Sequence, residues 1–261
     1  MDWMQKESSG RSDVSSGNRE QVRLDQLLVQ RGLAQSRAKS AALIMAGEVK
    51  VDGTVVDKPG KQVPCSAHLV VSPRHSGFVS RGGVKLAAAL HYFEVSVEGK
   101  VLLDIGASTG GFTDCLLQHG AEKIFAVDVG YGQLDWKIRQ NPKVEVLERT
   151  NIRNLRPEDF LTLFHGAVID VSFISLRLVM PPVGALLHSE AFIIALIKPQ
   201  FEVGKGQVGK GGIVRDPQKH GEVVERLSAF SESEGWDVQG CIPSPILGQK
   251  GNREFLIYLT R

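Results

Sequence analysis

Two sets of residues in this chain have types and spacings suited to chemistry. The first is Val-Leu-Leu-Asp-Ile-Gly-Ala-Ser-Thr-Gly-Gly-Phe at 101–112, an apolar run that reaches Asp104 and passes through a glycine-rich turn into a helical pattern. Glycine has no Cβ, so Gly106, Gly110 and Gly111 let backbone approach a ligand closely, while Ser108 and Thr109 are placed to cap the following helix. A second apolar run, 123–127, ends at Asp128, where a β–α–β unit puts the carboxylate that grips a ribose diol. Together they predict a site for a nucleoside-bearing cofactor. The second set is dispersed. Asp170 closes the strand pattern Ala-Val-Ile-Asp, Lys198 closes the apolar run that begins at Ala191, Lys85 opens a helix, and Glu254 enters the last strand. Taken singly, a lysine after an apolar strand is a solvated strand end, and Asp170 with Ser172 and Ser175 is a helix cap. Asp170 and Lys198 nonetheless fall at carboxyl ends of neighbouring strands, so both are expected to face the crevice that holds the nucleoside.

The elements that must position these residues follow from composition and periodicity. A chain of 261 residues, 42% hydrophobic, has the length for one ordinary domain and a small one. A net charge of +2 means that nucleic-acid affinity has to come from local clusters of Lys and Arg. The three cysteines lack CxxC or Cys/His spacing, which supports neither a disulfide framework nor a zinc or other metal site. No run approaches the roughly 18 apolar residues of a membrane span, and the start of the chain has no signal-like apolar core, so a cytoplasmic protein is expected. Residues 1–20, rich in Ser, Gly and charge, are expected to be a disordered extension or a vector remnant.

From 21 to 75 the pattern is that of a small α+β domain. Leu24, Leu27, Leu28 and Leu33 suit a helix that ends near Gly32. Ser36 opens a second, with Ala38, Ala41, Ala42, Ile44 and Met45, and Gly47 stops it. Val49 and Val51 lead into an Asp52-Gly53 hairpin turn, followed by Val55 and Val56. The glycine-rich stretch 76–84 is expected to be a linker, and 85–261 a doubly wound, seven-stranded α/β domain. Its strands are expected at 101–104, 123–128, 144–147, 167–170 and 191–197, with late antiparallel strands near 236–241 and 254–258. Helices are expected near 85–92, 112–118 and 221–234.

Several of these stretches resemble known families. The turn is not GxGxxG, and Asp-x-Gly-x-x-x-Gly-Gly at 104–111 resembles the loop of S-adenosylmethionine enzymes. The order RLDQLL at 23–28, RGLA at 31–34 and AGEVKVDG at 46–53 resembles an S4 RNA-binding domain, which implies that Arg23, Arg31, Arg37 and Lys39 face RNA phosphates. Lys85, Asp170, Lys198 and Glu254 resemble the Lys-Asp-Lys-Glu tetrad of FtsJ-like (RrmJ-like) ribose 2′-O-methyltransferases. With VSRGG-x-KL at 79–86, DVSFISL at 170–176, KPQFEVG at 198–204 and GGIVRDP at 211–217, residues 21–261 resemble the TlyA, or haemolysin-A-like, family of rRNA methyltransferases.

That resemblance implies a Rossmann-like methyltransferase domain, S-adenosylmethionine as cofactor, and ribosomal RNA or a ribosomal subunit as partner, with cytidine 2′-hydroxyls as targets. It implies that Lys198 acts on the hydroxyl as base or by orienting it, while Asp170 and Glu254 hold the two lysines. It places Asp104, Gly106, Ser108, Thr109, Gly110, Gly111, Asp128, Asn151 and Asp170 on the cofactor, and adds Arg81 to the RNA contacts. Where that family has Arg-x-Trp-Val, this chain reads Ser76-Gly77-Phe78-Val79. The run 204–210 imitates a phosphate-binding loop, but Gly211 stands where Ser or Thr must bind magnesium, and a basic flap is expected instead. The competing readings are a non-catalytic ribosome-assembly factor, a membrane-active haemolysin and a pseudouridine synthase. The intact loop and tetrad oppose the first, the lack of an apolar span the second, and the α/β pattern the third.

Overall fold

The computed structural model describes residues 21–34, 36–45, 47–71, 77–204, 206–209, 211–248 and 250–261. The extension expected at 1–20 and residues 72–76, which include the first residue of the expected linker, lie outside these. The chain divides into two compact units, Met1–Pro73 and Arg74–Arg261.

In the first unit β1 (Gln21–Arg23) leads into α1 (Leu24–Gln30) and α2 (Arg37–Met45), followed by β2 (Val49–Val51), β3 (Thr54–Val55), β4 (Gln62–Pro64) and β5 (Leu69–Val71). Leu24, Leu27 and Leu28 lie on one face of α1 and are buried with Ile44, Val49 and Val63 in a single core. Both turn residues between β2 and β3 have positive φ, 49° at Asp52 and 81° at Gly53, which is the backbone of a type I′ hairpin. Two pairings were not expected: β1 with β4, and β5 on the far edge of β2.

The second unit opens with α3 (Gly82–Tyr92), so 82–84 of the expected linker are helical. Residues just before it are also fastened down: Val79 N donates to Asp114 Oδ2 at 2.6 Å, and a Cβ on Gly83 would stand 2.3 Å from the Phe78 ring. Then come β6 (Val101–Ile105), α4 (Gly111–Gln118), β7 (Lys123–Val127), α5 (Trp136–Arg139), β8 (Val144–Leu147), β9 (Phe164–Ile169) and α6 (Leu176–Ala185). The chain continues with β10 (Leu187–Ile197), α7 (Pro199–Glu202), α8 (Pro217–Ser233), β11 (Asp237–Pro243) and β12 (Phe255–Thr260). The seven strands lie in the order β11-β12-β10-β9-β6-β7-β8. β8 to β10 are parallel through β7, β6 and β9, whereas β12 runs antiparallel to both β10 and β11. The chain builds outward from β6 to β8 and then returns to β9 on the other side of β6. This makes the β6/β9 boundary a topological switch point, where open α/β sheets bind ligands.

Side chains alternate along each strand between two buried layers. Leu102, Val168, Leu196 and Leu256 pack with Leu86 of α3 and Phe112 of α4. Leu103, Ile169, Ile197 and Ile257 pack with Val179 of α6 and Leu227 of α8. Continuing the alternation by two residues puts Asp104, Asp170, Lys198 and Glu254 on the α3/α4 side. That is the side from which Lys85 comes.

Helix α6 was not expected, because Pro181 and Pro182 sit inside it. A proline within a helix removes a hydrogen bond and costs about 3 kcal/mol relative to alanine. Here burial of Leu176, Val179, Met180 and Val183 against the sheet outweighs that cost. Pro181 itself is exposed, so Pro181→Ala restores a donor without opening a cavity. Against about 1 kcal/mol of added unfolded-state entropy, the variant is expected to raise the melting temperature by a few degrees in scanning calorimetry. A lower melting temperature would show that the proline ring stabilises the helix end.

Candidate active site

The glycine-rich turn is built by contacts that exclude side chains. Gly106 has φ +83°, and a Cβ there would lie 2.6 Å from the Asp170 carbonyl oxygen. At Gly111 a Cβ would lie 2.1 Å from Ser80 Oγ. Gly110, at φ +89°, is the residue that caps α4, and no side chain caps that helix, so Ser108 and Thr109 do not serve as its caps. Ser108 instead takes φ +48°, and its amide donates to Asp128 Oδ2 at 2.8 Å. The Asp128 carboxylate also accepts from Gly130 N at 2.7 Å, so it ties together the turns that follow β6 and β7. Two depressions share Ala107 and Ser108 and together form a trough along this turn. One is lined by Asp128, Gly130 and Gln133; the other, of about 110 Å³, by Gly106, Thr109, Gly111, Ser80, Lys85 and Asp170.

Two expected cofactor residues do not reach this trough. Asp104 is fully buried, because the alternation that aims Leu102 at α4 aims Asp104 the same way. It accepts from Thr113 Oγ1 at 2.5 Å, its other oxygen has no hydrogen-bond partner among the described residues, and burial pushes the carboxyl up to about 7 against the pull of the Thr113 hydroxyl. The Asp170 carboxylate adds to that rise. Asp104 therefore braces the turn from below. Asn151 lines neither depression; its side-chain oxygen accepts from Arg153 N and caps a short 3₁₀ turn.

The four tetrad residues come together as two ion pairs. Lys85 Nζ lies 2.5 Å from Glu254 Oε2, both side chains buried, and Lys198 Nζ lies 2.6 Å from Asp170 Oδ1. Lys85 and Asp170 line the trough, and each brings its partner with it. Ser172, which the sequence pattern did not single out as a site residue, accepts a further bond from Lys198 Nζ at 2.9 Å. Burial raises the thiols of Cys115 and Cys241 to about 12, so neither is a ready nucleophile.

The basic residues expected to meet RNA are mostly engaged within the protein. Arg23 makes a two-pronged contact with Asp25 at 3.0 and 2.8 Å, and Arg37 reaches the same carboxylate at 3.1 Å. The Arg23 hydrogen bond is the main reason the Asp25 carboxyl drops to about 2, and Arg37 reinforces it. Arg31 donates to the carbonyls of Ala67 and Cys65. Lys39 lies exposed on α2. In the second unit Arg81 donates to Leu247 O at 2.7 Å. In the run 204–210 residues 205 and 210 lie outside the described residues; Gly209 bridges to Ile213, and α8 starts only at Pro217.

Comparison with known proteins gives this geometry a context. Residues 78–261 match the FtsJ-like methyltransferase family, and residues 22–66 match the S4 domain. The chain belongs to the FtsJ-like methyltransferases. It is 47% identical over 239 residues to the 16S/23S rRNA (cytidine-2′-O)-methyltransferase TlyA of Mycobacterium tuberculosis, covering 91% of this chain and 89% of that protein. It is 39% identical over 238 residues to Hemolysin A of Brachyspira hyodysenteriae, covering 91% and 99%. A solved structure from Streptococcus thermophilus, described as a hemolysin candidate, aligns with a TM-score of 0.73 at 43% identity over 93% of this chain and 89% of that one.

The methyl donor of this family, S-adenosylmethionine, fits the residues present. The trough is open where Gly106 and Gly111 carry no Cβ, and Asp128 lies along it with acceptor oxygens suited to a ribose diol. Gly106→Ala forces a Cβ against backbone that cannot yield, at a φ that alanine rarely adopts. It is expected to weaken donor binding at least tenfold and to lower the methylation rate at saturating donor as well, because the displaced backbone is that of Asp170. Calorimetry with S-adenosylhomocysteine and a transfer assay would check both; unchanged affinity would remove Gly106 from the donor site.

Proposed function

We propose that this protein methylates the ribose 2′-hydroxyl of a cytidine in ribosomal RNA, in the cytoplasm, with large-subunit RNA the substrate to test first and small-subunit RNA the second. The observation that carries this reading is the pair of lysine–carboxylate contacts beside the glycine-rich trough. The S4 match and the named activities of the relatives from M. tuberculosis and Campylobacter jejuni support the choice of RNA. A membrane-lytic role has only the names of relatives behind it. Among the described residues no helix is long and apolar enough to cross a membrane.

When bound, S-adenosylmethionine supplies an electrophilic methyl group on a sulfonium centre. A ribose hydroxyl is a weak nucleophile, so the protein has to hold its oxygen in line and take up its proton. Lys198 Nζ lies 2.6 Å from Asp170 Oδ1 and donates to Ser172 Oγ, which leaves N–H capacity for the ribose oxygen. That remaining donor orients the oxygen, and the hydroxyl proton passes to the Asp170 carboxylate. Lys85, paired with Glu254 on the trough wall, favours the negative charge that builds on the oxygen.

Lys198→Ala is expected to abolish methylation and to leave donor binding intact, since this lysine is assigned to the hydroxyl. Loss of a positioned acid–base group costs about 10²–10⁴-fold, so activity above a tenth of wild type would remove Lys198 from the central role. Division of labour is the second expectation. A protein without residues 1–73 should fold and bind S-adenosylmethionine but methylate RNA poorly, because every trough and tetrad residue belongs to the second unit. Every phosphate that the shortened protein no longer neutralises should reduce the salt slope of RNA binding by about 0.7–0.9. The same affinity and slope in the shortened protein would show that the first unit is not the RNA anchor.

A further inference from the structure

We propose that Glu202 is a positioning residue that sets the spacing of the Lys198–Asp170 ion pair; this rests on the reading that the pair acts on the ribose hydroxyl. Asp170 and Lys198 end neighbouring parallel strands, and beyond them the chain departs along different paths, into α6 and α7. Helix α7 is a single turn, held internally by Phe201 N to Lys198 O and Val203 N to Pro199 O, both 2.9 Å. Glu202 lies at its last position and reaches across to the loop that follows Asp170. Its Oε2 accepts from Ser175 Oγ at 2.7 Å, and its Oε1 accepts from Leu176 N at 2.8 Å.

Both oxygens are thus spent on the first turn of α6, where a carboxylate also meets the favourable end of the helix dipole. The result is a closed ring, with the 2.6 Å ion pair on one side and the Glu202 bridge on the other. On the outer side, Arg226 Nη2 from α8 donates to Glu202 O at 2.7 Å and stops the turn from tilting away. The rings of Phe173 and Phe201, 4.9 Å apart, join the same two segments. That contact is apolar and non-directional, so it sets proximity and not register. Together with the Lys198–Ser172 hydrogen bond, the carboxylate bridge limits how far the Lys198 turn can slide past the Asp170 loop, and it is the link that does not use the reacting amine. Glu202, Ser175 and Leu176 line no part of the donor trough.

The test compares Glu202→Gln, Glu202→Asp and Glu202→Ala. Glutamine can still accept from Leu176 N with its oxygen and donate to Ser175 Oγ with its amide, whereas aspartate is one methylene too short. Misplacement of a reacting group by about 1 Å can cost on the order of 10²-fold. Glu202→Ala and Glu202→Asp are therefore expected to lower the single-turnover methylation rate about 10- to 100-fold at saturating donor, with S-adenosylhomocysteine affinity within about twofold of wild type. Glu202→Gln should keep at least half of the rate. The proposal is overturned if alanine keeps more than half, if glutamine falls as far as alanine, or if the loss appears in donor affinity. If the alanine variant does not fold, the glutamine–aspartate pair decides on the same terms. Combining Glu202→Ala with Lys198→Ala separates the two claims. A Glu202 that acts through Lys198 adds little to the single Lys198 loss, and full multiplication of the two effects would sink the role of Glu202 alone. A Lys198→Ala protein with wild-type rate would instead sink the reading of the ion pair.

Discussion

The close approach of Gly106 to Asp170 is the constraint on which the catalytic unit depends. Strand β6 lies between β7 and β9, and its carboxyl end bonds to both: Gly106 N donates to Val127 O at 2.8 Å, and Asp170 N donates to Ile105 O at 2.9 Å. Neighbouring strands are about 4.8 Å apart, so these bonds fix Asp128 beyond β7 and Asp170 beyond β9 on either side of one turn. The trough divides accordingly. Asp128, proposed to hold the donor, falls on the β7–β8 side, and the two ion pairs fall on the β9–β10–β12 side. A methyl transfer needs two substrates to meet end to end, and the switch point between β6 and β9 supplies one wall that both can share. No side chain can stand at Gly106, because the Asp170–Val171 backbone already occupies its space.

Much of this was legible before the structure, for a physical reason. Apolar runs on a sheet covered on both faces are long and unmistakable, and each one that mattered ended in a charged residue: Asp128, Asp170, Lys198. Strand periodicity then decides direction. A residue two places beyond a side chain that packs under α3 and α4 must face the same way, which gathers Asp170, Lys198 and Glu254 towards Lys85 from parity alone. The pairing was harder to read. Nothing in spacing says that Lys85 meets Glu254, 169 residues away, and that Lys198 meets Asp170.

Where the reading failed, tertiary context outweighed a local rule. Asp104 was placed on the cofactor because it ends the first strand pattern, but the parity that explains the tetrad sends it under α4 to Thr113. Ser108 was expected to cap α4 and is displaced from that role by Gly110, whose left-handed backbone turns the chain two residues later than Ser108 would. Asn151 follows its local preference and caps the nearest turn. Helix α6 was hidden by its two prolines, since local propensity cannot register the apolar face that the sheet buries.

The first unit treats charge in the opposite way from the second. At the catalytic trough each lysine is matched with one carboxylate, and the Lys85–Glu254 pair is buried enough that losing either partner would strand the other in a poorly solvated wall. At the start of α1 a single buried carboxylate, Asp25, serves two guanidiniums whose own side chains stay 42% and 57% exposed. Counting one carboxylate against two arginines leaves one net positive charge on that face. The exchange is charge for order: Arg23 and Arg37 lose part of their field but are held in place before any ligand arrives. A planar guanidinium keeps further N–H donors free when one edge is occupied. Ordering a long side chain costs about 0.5–1.5 kcal/mol on binding, so under the proposed RNA-binding role of this unit two arginines already held by Asp25 would have met that cost during folding.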